Sequence, residues 1–263
     1  MLLTVDVGNT HVKFGVYDGA QLKGDWRAST DRERTPDEWA VHLERFLALG
    51  NLTLGQLDGC IIASVVPPVT DSIRAMTRKH LEVEPLIVSG VVNLGMAIDY
   101  PRPKEIGADR LVGAVAAIER YGAPVVVIDF GTATTFDIMN GEGAYIGGII
   151  APGLETSLWA LSQRAALLFN VELEFPPQIV GQTTIEGMQS GLMWGYVSLV
   201  EGLGARVREF LGQPCPIVAT GGLADRLAPH TTIFTAVDHD LMVRGLRLIW
   251  DRNPDKHHLA PKV

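Results

Sequence analysis

The chain is poor in cysteine, in aromatic residues and in positive charge, and it has no long apolar run. Its two cysteines, Cys60 and Cys215, stand in the apolar stretches GCIIASVV and PCPIVAT, with no Cys-x-x-Cys or Cys/His spacing beside them. A disulfide framework or a zinc site is therefore not expected, and the pair reads as two buried thiols in a reducing cytosol. No run of about 18 apolar residues occurs, so no transmembrane helix is expected. The opening MLLTVDVGNT lacks a basic region and a small-residue cleavage site, and reads as a first strand rather than a signal peptide. Lys and Arg number 22 against 30 Asp and Glu, a formal net charge of −8. With no basic patch interleaved with aromatics, a nucleic-acid-binding surface is not expected. No GxxxxGK[ST] is present, which excludes a P-loop, and the protein-kinase signature set is missing too. The histidines are scattered, and His257 and His258 fall in a polar tail expected to fray.

What is present is a pattern that occurs twice. LLTVDVGNT at residues 2–10 and VVVIDFGT at 125–132 are apolar runs that end in Asp-x-Gly followed by hydroxyl or amide residues. Each leads into a second apolar run. The carboxylates, Asp6 and Asp129, lie about half a chain length apart. A duplicated strand–turn–strand with a carboxylate at each turn suggests two related lobes around one phosphate-rich ligand. With 263 residues and 47% hydrophobic content, the chain has enough core for one large or two smaller domains.

The element order supports that reading. Residues 2–7, 11–17 and 21–28 read as an antiparallel meander, with Asp18-Gly19 as a hairpin turn. A helix is predicted at 36–48, with Thr35 and Glu38 as a capping box, Pro36 at its start and Gly50 at its end. A strand near 58–65, a helix at 68–82, a strand at 85–89 and a helix at 107–121 follow. The pattern then restarts with strands at 124–130, 133–139 and 144–150 around an Asn140–Gly143 turn. Helices at 153–168 and 183–211, a strand at 216–220 and a helix near 239–251 close the chain. This is an α/β protein of two ribonuclease-H-like lobes, as in actin-like ATPases, with mixed sheets flanked by helices. The expected division is 1–121, 122–253 and a frayed tail at 254–263.

Three constellations carry chemistry. In Asp6-Val7-Gly8-Asn9-Thr10, Gly8 permits close backbone approach. Main-chain N–H groups with Asn9 and Thr10 can donate to phosphate oxygens, and Asp6 can hold a hydrated divalent cation. Lys13 adds positive charge if it points inward. The second copy, Asp129 to Thr135, supplies three threonines. The third is Gly107-Ala108-Asp109-Arg110 at a helix start. There a carboxylate is favoured by the helix dipole, which is also its bland explanation. The functional reading makes Asp109 a general base for a hydroxyl nucleophile and Arg110 a fork for an anionic group. Gly187, Gly191 and Gly195 form a four-residue-spaced stripe on a long helix. With Trp194 and Tyr196 expected to be exposed, that stripe reads as a homodimer face in preference to its alternative, packing inside the same subunit. Gly221-Gly222 reads either as a flat surface for adenine or ribose or as a plain turn.

DVGNT, GADR, DFGTATT and the Gly147–Gly153 stretch GGIIAPG, in this order and spacing, resemble the type III pantothenate kinases over about residues 1–250. That family belongs to the superfamily of acetate and sugar kinases, heat-shock chaperones and actin. The resemblance implies ATP-dependent phosphorylation of pantothenate at its terminal hydroxyl, the first step toward coenzyme A. It implies that Asp6, Val7, Gly8, Asn9, Thr10, His11, Val12 and Lys13 bind ATP phosphates, with Thr132 from the second lobe. It makes Asp109 the proton acceptor and places Tyr100, Gly107, Ala108, Asp109, Arg110 and Thr184 at pantothenate. It makes Asp129 the ligand of a monovalent cation, K⁺ or NH₄⁺, beside Mg²⁺ carried with ATP. A cytoplasmic homodimer is implied as well. The rival readings are another kinase or phosphatase of the superfamily, and a non-catalytic nucleotide-binding regulator.

Overall fold

The computed structural model describes residues 1–89, 92–164 and 171–256. Strands β1 (Leu2–Val7), β2 (His11–Asp18) and β3 (Gln21–Ser29) form an antiparallel meander. β4 (Gly59–Ser64) and β5 (Leu86–Ile87) join in parallel on the other side of β1, giving the order β3-β2-β1-β4-β5. β6 (Val125–Phe130), β7 (Ala133–Met139) and β8 (Tyr145–Pro152) repeat the meander. β9 (Ile217–Gly221) and β10 (Ala236–Val237) repeat the parallel additions, in the order β10-β9-β6-β7-β8. The two sheets thus have one topology, and the expected α/β fold with two mixed, helix-flanked sheets is observed.

Period-two alternation sends Leu3, Val5 and Val7 of β1 and Val12, Phe14 and Val16 of β2 to one face. That face is covered by Trp39, Leu43 and Leu47 of α1 (Pro36–Leu49) and Val69, Ile73 and Met76 of α2 (Pro67–Met76). The capping box at the start of α1 is present. Thr35 N–H donates to Glu38 Oε2 at 2.8 Å and Glu38 N–H to Thr35 Oγ1 at 3.4 Å. The helix expected over 68–82 is α-helical only to Met76 and continues as a π turn over Thr77–Leu81. α3 (Ala108–Tyr121) leads to the second sheet. There Val126, Ile128, Phe130, Phe136 and Ile138 pack with Leu154 and Leu158 of α4 (Leu154–Arg164). Met193, Tyr196, Val197, Val200 and Val207 of α5 (Thr184–Leu211) complete that core. Of the helix expected at 153–168, residues 165–168 lie outside the described residues. So do 257–263, with His257 and His258. α6 (Ala224–Leu227) and α7 (Leu241–Asp251) complete the helices among the described residues.

The chain divides into two compact units, one of Met1–Ala116 with the chain from Asp240 on, the other Ala117–His239. The boundaries expected from the sequence lay at 121/122 and at 253. The division falls inside α3, and α7 packs on β1, β2 and β4 of the first sheet. The reason lies in two small residues on that sheet. A Cβ at Gly15 would lie 3.0 Å from Val243 Cγ1, and one at Gly59 would lie 2.6 Å from Trp250 Cζ2. The bare backbone there receives the helix. Pro254–Lys256, expected to fray, form a 3-10 turn. It follows Asn253, which is buried and bonds Asn93 in both directions at 2.9 Å. Among the described residues no helix is long and apolar enough to cross a membrane.

Candidate active site

In the first unit Asp6, the penultimate residue of β1, stands opposite Lys13 of β2 and beside Ala63 of β4. The turn that follows is closed on itself. Gly8 N–H donates to His11 O at 2.9 Å, Thr30 Oγ1 to Gly8 O at 2.6 Å, and Thr30 N–H to Thr10 O at 2.9 Å. Gly8's amide is therefore spent within the turn, while Asn9, Thr10 and His11 are exposed. Val7 and Val12 are core residues at 1% and 0% exposure, so anything they give a ligand comes from main chain. Val65, in the β4–α2 connection, donates its N–H to Val7 O at 3.1 Å. Its Cγ1 lies 3.6 Å from where a Gly107 Cβ would be. Through Val65 the Asp6 turn and the start of α3 thus share one end of the first sheet.

At that helix start, Gly107 leaves room for the carboxylate two residues on, since a Cβ there would press on Asp109 Oδ1. Asp109 Oδ1 accepts the Arg110 N–H at 2.8 Å. Burial holds the Asp109 pKa above its ordinary value, against the lowering effect of that hydrogen bond and of the Arg110 charge. A carboxylate tied down by one oxygen, with raised proton affinity, at the end of a sheet is suited to acid–base work. Tyr100, in the loop before α3, is half-buried.

In the second unit Asp129 occupies the position of Asp6, penultimate in β6, and faces Thr135 of β7 and Thr220 of β9. The neighbours that separate the two copies are thus a lysine in one and hydroxyls in the other. Gly131 N–H closes on Ala133 O at 3.1 Å, while Thr132 O accepts Gly153 N–H at 3.1 Å and Thr156 Oγ1 at 2.7 Å. Gly153 has to be glycine, because a Cβ would meet the Gly131 and Thr132 carbonyls. Gly221 lies against Asp129 itself. Thr184 is exposed at the first residue of α5.

A family model described as type III pantothenate kinase matches residues 2–206. The chain belongs to the type III pantothenate kinase family. A type III pantothenate kinase from Paramagnetospirillum magneticum is 48% identical over 254 residues, covering 96% of this chain and 98% of that protein. Another type III pantothenate kinase, from Thermomicrobium roseum, is 47% identical over 252 residues, covering 96% and 97%. Component A of the (R)-2-hydroxyglutaryl-CoA dehydratase of Acidaminococcus fermentans shares the fold, with a TM-score of 0.55 at 14% identity. It is covered over 94% of each chain.

The expectation for the aromatics of α5 in this type III pantothenate kinase is corrected by the structure. Tyr196 is buried at 6% exposure and hydrogen-bonded, and Trp194 is half-buried, edge-on to Phe175 at 4.8 Å. Neither is an exposed aromatic. Gly187, Gly191 and Gly195 are exposed, and a Cβ at any of them would meet no atom within 4 Å. Thr30, Val65 and Thr156 were missed as parts of the two turns. A lone threonine or valine carries no sequence signal for such a contact. Gly153 and Gly221 did carry one, as glycines that end strands.

Proposed function

We propose that this chain transfers the γ-phosphoryl group of ATP to the terminal hydroxyl of pantothenate, giving 4'-phosphopantothenate, with Asp109 as the base. It is an ATP-dependent pantothenate kinase of coenzyme A biosynthesis. The residue-level reading is carried by the Asp109 carboxylate, its Oδ1 tied to main chain and its proton affinity raised by burial. The hydroxyl oxygen forms a bond to the γ-phosphorus, the bond to the β–γ bridging oxygen breaks, ADP leaves, and the proton goes to Asp109 Oδ2. Arg110 pairs with the pantothenate carboxylate, and Tyr100, Gly107, Ala108 and Thr184 complete that pocket. Asp6 through Lys13 take the ATP phosphates. With the Gly8 amide used internally, Asn9, Thr10, the His11 and Val12 main chain and the Lys13 ammonium supply the contacts, joined by Thr132.

The donors are oxygen-rich and fit hard cations. Asp6 would hold Mg²⁺ with ATP, and Asp129, with Thr135 and Thr220 beside it, would hold K⁺ or NH₄⁺. Both would supply positive charge against the transferring phosphoryl group. The test is ADP release with Mg²⁺, in K⁺ or NH₄⁺ against Na⁺. Release is expected to require pantothenate and to rise with K⁺ or NH₄⁺. Phosphorylation of a sugar and not of pantothenate would sink the reading, and no release at all would favour a non-catalytic regulator.

The exposed glycine stripe supports a homodimer through α5. Exposed Ile185 at the start of that helix and exposed Ile179 and Val180 just before it add apolar surface. Sedimentation is expected to give the mass of two chains for the wild type and of one for Gly191→Trp, and a monomeric wild type would refute the dimer. The reading places the enzyme in the cytoplasm, in keeping with the buried free thiols of Cys60 and Cys215.

A further inference from the structure

Phosphoryl transfer as described makes no use of one buried hydroxyl in the second unit. Tyr196, in the middle of α5, lies with its ring tilted on Phe130 at 6.3 Å between centroids. Its OH donates to Pro152 O at 2.6 Å and shares a second hydrogen bond with Thr134 Oγ1. A phenol carries one proton. With that proton on Pro152 O, Thr134 is the donor of the second bond. Burial pushes the phenol pKa up, so the proton stays in place at any working pH.

The two partners frame the turn after Asp129. Thr134 is the second residue of β7, just past Thr132. Pro152 is the last residue of β8 and directly precedes Gly153, whose N–H holds the Thr132 carbonyl. Thr156, in the first turn of α4, holds the same carbonyl. A single phenolic oxygen therefore ties both ends of the lattice that fixes Gly131 and Thr132, one through β7 and the other through Pro152 and Gly153. A Phe ring would fill the same core space, so only the hydroxyl distinguishes Tyr here.

We infer that Tyr196 is a positioning residue whose hydroxyl holds the Gly131–Thr134 turn against the start of α4, and thereby sets the affinity for ATP and for the cation at Asp129. The inference rests on the assignment of Asp129 and Thr132 made above.

Tyr196→Phe keeps the ring and removes the tie. It is expected to raise KM for ATP about fivefold and to move K⁺ activation to higher concentration, with KM for pantothenate within about twofold of wild type. Thr134→Val breaks one of the two bonds from the other side, leaves the bond to Pro152, and should shift the same constants in the same direction by less. The double variant should be no worse than Tyr196→Phe, because that change already removes the bond to Thr134 along with the one to Pro152. Thr134→Ser retains the hydroxyl and should restore wild-type constants. Unchanged ATP and K⁺ constants in folded Tyr196→Phe would overturn the inference. So would equal rises in both KM values together with a lower Tm, which is the mark of a structural role alone. If Tyr196→Phe does not fold, Thr134→Val decides on the same constants. Asp129→Asn in the otherwise wild-type chain reads the underlying assignment separately. A normal K⁺ response and a normal KM for ATP in that variant would remove the assignment and the inference together.

Discussion

Asp109→Asn is expected to lower kcat at least about a hundredfold while leaving ATP binding close to wild type, the loss expected when a general base is removed. Asparagine keeps the shape and can still accept the Arg110 N–H on Oδ1, the bond seen at 2.8 Å. The start of α3 is therefore preserved, and the loss falls on the proton transfer. The same substitution should make the protein more stable at neutral pH. Burial holds the Asp109 carboxyl above its ordinary value of 3.8, so the folded chain binds this proton more tightly than the unfolded chain. Stability from that group is full below about 3.8 and is lost as pH rises through the folded-state pKa. Above that window the ionised carboxylate is a cost that Asn lacks. A higher Tm at pH 7, with the difference vanishing in acid, is the expected calorimetric result.

Kinetics should report the same ionisation with the opposite consequence. The base works ionised, so wild-type kcat/KM should fall as pH drops through the Asp109 pKa, and Asp109→Asn should lose that acid limb. Turnover near wild type in Asp109→Asn, measured by pantothenate-dependent ADP release, would rule Asp109 out as the base.

Much of this was legible in the chain. The two meanders follow from period-two apolar runs, and the Thr35/Glu38 pair marks a helix start that the structure reproduces. The Asp-x-Gly turns and GADR singled out residues that the structure gathers within each unit, the Asp6 turn and Asp109 at one end of the first sheet. Other features were hidden for physical reasons. The apolar stripe of α7 shows that the helix is covered on one side, but not by which sheet. The answer lay in Gly15 and Gly59, far away in sequence, whose missing side chains make the seat for Val243 and Trp250. A two-residue strand such as β10 is too short to carry a period. Tyr196 sits beside the stripe of Met193, Val197 and Val200, but was expected to be exposed with the glycine stripe. Only the fold shows that Thr134 and Pro152 satisfy its hydroxyl inside the core.

Gly221→Ala should be a strongly damaging single-methyl change near the second turn. Gly221 has φ of +92°, a region that L side chains rarely adopt. An added Cβ would lie 2.5 Å from both Asp129 Oδ1 and Phe130 O and 2.6 Å from Phe130 N. The carboxylate can turn away, but the β6 backbone cannot, since it is the central strand of its sheet. Strain at positive φ of about 1–2 kcal/mol adds to overpacking of about 1–3 kcal/mol. Together they predict a Tm lower by about 5–15 °C. Because relief comes most easily by moving Asp129, the K⁺ or NH₄⁺ response should weaken in the fraction that folds. Gly222→Ala is the matched control. A Cβ at Gly222 would meet nothing within 4 Å, so its Tm should stay near wild type. If Gly222→Ala nevertheless raises KM for ATP at unchanged Tm, the methyl is meeting a ligand rather than the protein. The glycine pair would then be a surface for adenine or ribose. Equal Tm values for the two alanine variants would show that the close packing of Gly221 on Asp129 does not govern this site.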